Sequence, residues 1–93
     1  MTLEEINLNK HIGQKIKYYR ELHNLGKSRK DRITQEKLAE MVNVSTTLIG
    51  SMESEKKYQG CSIYTLWKIS KALNVSIEDF VKDYGAEINK PSK

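Results

Sequence analysis

The 93-residue chain carries a formal net charge of +4, and its length fits one small domain with a modest core, a second domain not being expected. No apolar run reaches the length of a bilayer span, and the polar, acidic start MTLEEINLNK is unlike a secretory leader, so a cytoplasmic protein without membrane partners is expected. Cys61 is the sole cysteine, which excludes an internal disulfide and a cysteine-based metal framework and fits a reducing compartment.

The first predicted helix covers residues 9–25, with Leu8, Ile12, Ile16, Tyr19 and Leu22 as its apolar stripe. Thr2 followed by Glu5 has the form of a capping box, which would move the start to Leu3, and Gly26 is placed to end the helix. Residues 26–33, GKSRKDRI, form a polar and basic loop. Positive charge is concentrated between Lys10 and Arg32: Lys10, Lys15, Lys17, Arg20, Lys27, Arg29, Lys30 and Arg32 stand against only Glu21 and Asp31. A solvated helix face with a flexible loop accounts for such a run as readily as a binding surface does.

Residues 34–53, TQEKLAEMVNVSTTLIGSME, read as two short helices around a break at Val42, Asn43 and Val44. Leu38, Ala39 and Val42 share one face of the first, and Leu48, Ile49 and Met52 one face of the second. Thr34 and Ser45 are placed as their N-caps. Helices this short do not persist alone, so they require a body to pack on.

After the loop SEKKYQGC, Ser62 caps a fourth helix whose Ile63, Leu66, Trp67, Ile69, Ser70 and Leu73 predict deep burial, Trp67 included. Asn74 breaks it. Ser76 with Asp79 has the form of another capping box, opening a fifth helix in which Ile77, Phe80, Val81 and Tyr84 close the core. The expected organisation is an extension or helix start over 1–8, a domain over 9–84 and a frayed tail over 85–93. The sequence offers no strand with convincing alternation, no internal repeat and no low-complexity tract.

With these elements in place, the motifs Ile12-Gly13, Ile16 to Arg20, Thr34-Gln35 to Leu38-Ala39, Val44-Ser45 to Ile49 and Glu53, then Leu66, Ile69, Ala72-Leu73, Val75-Ser76 and Phe80 resemble the Cro/C1-type helix-turn-helix family of phage repressors and bacterial transcription regulators. The resemblance implies an all-α, compact five-helix fold of the lambda-repressor type, with helices two and three forming the helix-turn-helix. It also implies that the third helix enters the DNA major groove while the second lies across the backbone. Thr46, Thr47, Gly50 and Ser51 then form the face that meets base edges. Thr groups suit such contacts but discriminate weakly, so water and DNA shape have room to contribute. Gln35 takes the family's backbone-contacting position, Ser45 caps the reading helix, and Lys56 and Lys57 lie where phosphate contacts fall. Arg20 and Glu53 match the family's ion pair between helices one and three. Two departures stand out. The basic loop before Ile33 is longer than the family's usual connection, so Lys27, Arg29, Lys30 and Arg32 are candidates for added phosphate contacts that order on DNA. Glu55 stands where the family commonly has Gly, which bears on the placement of Lys56, Lys57 and Tyr58.

Other chemistry is poorly supported. His11 and His23 lack metal-ligand spacing, Cys61 has no nucleophile's partner, and no acid, base or nucleophile constellation points to an enzyme. No metal and no cofactor is expected. The reading is therefore a sequence-specific double-stranded-DNA-binding regulator, a repressor acting by operator occupancy as a homodimer. By family analogy its pairing surface includes Tyr64, Lys68, Phe80 and Tyr84, and a protein antagonist or toxin partner is compatible with it. The alternative is a protein-protein interaction module or antitoxin-like partner that keeps the fold with DNA binding secondary or lost, favoured by the uncharged Thr46, Thr47, Gly50 and Ser51 face.

Overall fold

Helix boundaries in this chain are written at the helix ends. In the computed structural model, which describes residues 2–57 and 59–84, the order is α1 (Leu3–Asn24), a 3-10 turn (Arg29–Asp31), α2 (Gln35–Val42), α3 (Thr46–Glu53), α4 (Ile63–Leu73) and α5 (Ile77–Val81). The described residues are all-helical with no strand. The tail over 85–93 and Tyr58 lie outside them.

α1 begins at Leu3 because the capping box forms: Glu5 N–H donates to Thr2 Oγ1 and Thr2 N–H to Glu5 Oε1, both at 3.1 Å. Each of α2 to α5 likewise starts at a side-chain cap, with the reciprocal box present again at α5. Thr34, Ser45, Ser62 and Ser76 are N-caps whose hydroxyls accept from the third helical residue, an arrangement worth about 1 kcal/mol per cap. Directly before each cap stands an apolar residue, Ile33, Val44, Cys61 or Val75, and at the fourth helical position a buried one, Leu38, Ile49, Leu66 or Phe80; all of them pack into the core cluster. These are the positions of the hydrophobic staple, which fixes the angle at which the chain enters a helix.

Two of the junctions are copies of each other. Asn43 and Asn74 sit in the left-handed region at φ 59° and 58°, with Val44 N–H donating to Ala39 O at 3.0 Å and Val75 N–H to Ser70 O at 2.9 Å. Asn tolerates this conformation better than other non-glycine residues. The tripeptide Asn-Val-Ser, at 43–45 and 74–76, therefore ends one helix and starts the next within three residues. This short structural repeat escapes a reading that looks only for long ones.

Ile16, Leu38, Val42, Ile49, Ile69 and Phe80 form the centre of the core. α3 packs on α2 and α1, α4 on α2 and α1, and α5 closes against α1 and α4. Several expected core positions lie outside it. Leu22 is 47% exposed because the 3.6-residue period carries it round to the flank shared with Tyr18 and Leu25. Trp67 is 46% exposed and Ile63 69%, since Leu66, Ile69, Ser70 and Leu73 already fill the buried side of α4. Val81 is likewise exposed. Phe80, assigned by analogy to a pairing surface, is fully buried in its own domain and is unavailable for contact. Tyr84 is half-buried, its ring 5.2 Å from that of His11. His11 Nε2 also approaches the Lys82 carbonyl at 3.2 Å.

One contact sets how closely α1 and α3 approach. A Cβ built at Gly13 would run into the Met52 carbonyl, so the two backbones meet where only glycine fits. Gly13→Ala is expected to destabilise the domain by about 1–3 kcal/mol or more, as overpacking against an unyielding backbone does; urea unfolding followed by circular dichroism checks it. A second expectation concerns acid. Asp79 is held below the usual carboxylate range by the Ser76 amide and then by Lys82. Its folded pKa is the lower one, so its stabilising contribution is full above the ordinary Asp value and fades as pH falls through the depressed one. Asp79→Ala should flatten the stability profile in that acidic window, measured by thermal melts across pH.

Candidate nucleic-acid interface

α3 is held both by its apolar side and by its last residue. Its apolar side sinks Ile49 and Met52 into the core and half-buries Leu48. Its last residue, Glu53, is only 4% exposed, a position that a carboxylate occupies only with compensation. Arg20 supplies it from α1: Nε donates to Oε2 at 2.9 Å and a terminal guanidinium N–H to Oε1 at 2.8 Å, the bidentate geometry that strengthens such pairs. These hydrogen bonds hold the Arg20 guanidinium above its ordinary pKa, against the opposing effect of burial. Gln35, the first residue of α2, adds a third donor, Nε2 to Glu53 Oε1 at 3.1 Å. One carboxylate thus joins α1, α2 and α3.

On the opposite side of α3, Thr46 and Thr47 are exposed and Gly50 and Ser51 half-buried. Gly50 has Gln35 behind it: a Cβ there would lie 3.4 Å from Gln35 Oε1. The four residues assigned to base reading therefore share the outward surface of a helix fixed from behind, and Gln35 borders it. The Gln35 amide has a second N–H besides the one given to Glu53. Ser45 accepts from Leu48 N–H at 3.0 Å, which leaves its own hydroxyl hydrogen to donate outward.

The basic loop is built into the domain. It carries the 3-10 turn, with Ser28 Oγ donating to Asp31 Oδ2 at 2.9 Å and Arg32 Nε to the Lys27 carbonyl at 3.0 Å. Asn24 clamps both polar groups of the Ile33 backbone, accepting its N–H at 2.7 Å and donating to its carbonyl at 2.8 Å. Arg20 reaches the same carbonyl at 3.2 Å. Arg29, Lys30 and Arg32 are exposed and Lys27 half-buried. Against the expectation of a segment ordered by DNA alone, the loop has internal and anchoring bonds of its own. The anchor residues Asn24 and Ile33 were missed from sequence, although a lone apolar residue directly before the Thr34 cap is a visible staple signal.

Lys56 and Lys57 are exposed beyond α3, where Ser54 Oγ accepts from Lys56 N–H at 3.2 Å. Cys61 is half-buried, and burial pushes its thiol pKa up, as suits a small core-edge residue. Among the described residues no cluster of His, Cys, Asp and Glu is arranged to hold a metal ion, and no helix is long and apolar enough to cross a membrane.

Two short helices joined at a left-handed asparagine, the second locked by a buried carboxylate with its polar side outward, define a helix-turn-helix DNA-binding domain. The model of the helix-turn-helix family matches residues 16–80, and the chain belongs to that family, of the Cro/C1 type, whose members are DNA-binding regulators. No curated protein and no solved structure matches the chain.

The ion pair generates its own test. Arg20→Met leaves Glu53 buried without its main partner and is expected to cost about 3–5 kcal/mol, whereas joint replacement of Arg20 and Glu53 by apolar residues of similar volume should recover much of that. Denaturant unfolding of the single and double variants decides between them.

Proposed function

We propose that this protein is a sequence-specific double-stranded-DNA-binding transcription regulator that represses by occupying an operator, two copies sitting on paired half-sites. The observation that carries the reading is the fixed outward side of α3, with Thr46 and Thr47 exposed at its leading end and Glu53 bound from behind by Arg20 and Gln35. In this reading α3 enters the major groove, where Thr hydroxyls meet base donors or acceptors and Thr methyls pack on thymine. Gly50 and Ser51 present a low surface that permits close approach.

Phosphate contacts come from around that face. The second amide N–H of Gln35, the Ser45 hydroxyl and the unpaired amides of the first turn of α2 donate to backbone oxygens. Lys56 and Lys57 flank the exit of α3, and Lys27, Arg29, Lys30 and Arg32 extend the positive surface through the loop. Such contacts place the domain without reading sequence. The uncharged side of α3, which has no Arg, Asn or Gln for a bidentate base contact, supports a second reading as a protein-binding module that keeps this fold.

Binding to random and genomic duplexes across a salt series separates the two. For the regulator, log affinity falls linearly with log salt and a preferred sequence emerges; absence of binding at low salt sinks it. Thr46→Ala and Thr47→Ala should each relax sequence preference, while Arg29→Ala and Lys30→Ala should weaken all duplexes alike and reduce the salt slope by about one per lost phosphate contact. Unchanged affinity and slope in the last two variants would remove the loop from the interface.

A further inference from the structure

The side of α4 turned away from the core carries an aromatic and cationic stripe that the proposed DNA contacts do not use. Ile63, Trp67 and Lys71 follow one another at helical spacing, and Tyr64 and Lys68 run beside them. Tyr64 is 63% exposed, with Ile63 and Trp67 also open to solvent. The two rings lie nearly parallel, their centroids 6.2 Å apart and their planes 18° from one another. Lys68 Nζ stands 4.7 Å from the Tyr64 ring centre, and Lys71 Nζ 5.6 Å from that of Trp67. Mutual contacts of this kind restrain side chains that would otherwise lose freedom on binding, so the surface is partly preorganised.

We propose that this side of α4 docks an acidic protein segment with an apolar anchor: Asp or Glu side chains meet Lys68 and Lys71, while an aliphatic or aromatic side chain lies across Ile63, Tyr64 and Trp67. The charge pattern selects this occupant. α4 contains two lysines and no carboxylate, and neither lysine has an ion-pair partner among the described residues. A two-fold pairing of copies sets a patch against itself, and with no carboxylate on α4 it would leave the lysines of both copies without an opposite charge. Nucleic acid fits less well, because the stripe offers only the cations Lys68 and Lys71 to a phosphate backbone, while the positive charge of the chain is concentrated over residues 10–32. A heterologous acidic segment satisfies both the charge and the apolar area. The inference goes beyond the proposed DNA function and uses none of the residues assigned to DNA contact; Tyr64 and Lys68, which family analogy placed on a pairing surface, are here given to a heterologous partner.

The test uses the full chain and a displayed library of random peptides, with the sole tryptophan, Trp67, as the optical reporter. Selected peptides should combine Asp or Glu with an aromatic or aliphatic residue. Their synthetic forms should shift Trp67 emission, bind more weakly as salt rises, and lose about tenfold or more in affinity on joint Lys68→Glu and Lys71→Glu substitution. Tyr64→Ala should weaken them while leaving the melting profile in place, since Tyr64 lies outside the core. Overturning results are selected peptides without acidic enrichment, failure to select any, or affinity indifferent to the charge reversal. An emission shift produced by self-association or by duplex DNA, with no response to acidic peptides, would assign the face to a second copy or to the nucleic acid and overturn the proposal equally.

Discussion

The buried carboxylate of Glu53 constrains everything around it. It closes α3, receives both arms of Arg20 from α1 and takes a further hydrogen bond from Gln35 at the start of α2. Buried ion pairs contribute little net stability compared with apolar replacements, so the value of this one is geometric. Three donors on two oxygens permit few arrangements, and the helix that ends in Glu53 inherits that restriction. Gly13 enforces it at the same end of α3, where the Met52 carbonyl lies against the α1 backbone.

Arg20 couples a second element to the first. Its remaining guanidinium nitrogen binds the Ile33 carbonyl, the point at which the basic loop rejoins the domain and α2 begins. The surface proposed to read bases and the segment proposed to grip phosphates therefore hang on one side chain. They differ in chemistry: small neutral groups on α3, a cluster of cations upstream. Positional accuracy matters most where the contacts are weakest, and a reading face made of threonines depends on its frame more than one carrying arginines would.

Much of this was legible in the sequence, because the decisive signals are local. The caps Thr34, Ser45, Ser62 and Ser76, the breaks at Asn43 and Asn74 and the apolar periods of α2 and α3 each lie within a few residues of what they specify. The Arg20–Glu53 pair was readable only through family resemblance, since nothing in the spacing of the two residues announces contact. Periodicity failed at the margins of each buried stripe. Leu22, Ile63, Trp67 and Val81 satisfy the pattern yet face outward, because hydrophobicity indicates which side of a helix can be covered and tertiary contacts determine how far the cover extends. The Asn24 clamp on Ile33 is a polar contact across a loop, which the spacing of the two residues does not announce.

The recurring unit of apolar residue, hydroxyl cap and buried fourth residue has a consequence for how the chain tolerates change. Every helix after the first carries its own entry angle in a short window, so the connecting segments need only close a gap. Loop closure entropy grows slowly with length, so the longer segment before Ile33 adds little to the cost of closure. Local specification also keeps the decisive contacts near in sequence, the condition under which small helical domains fold fastest. A scaffold arranged in this way can acquire charge in its connections, and with it new affinity, while the register of its helices stays fixed.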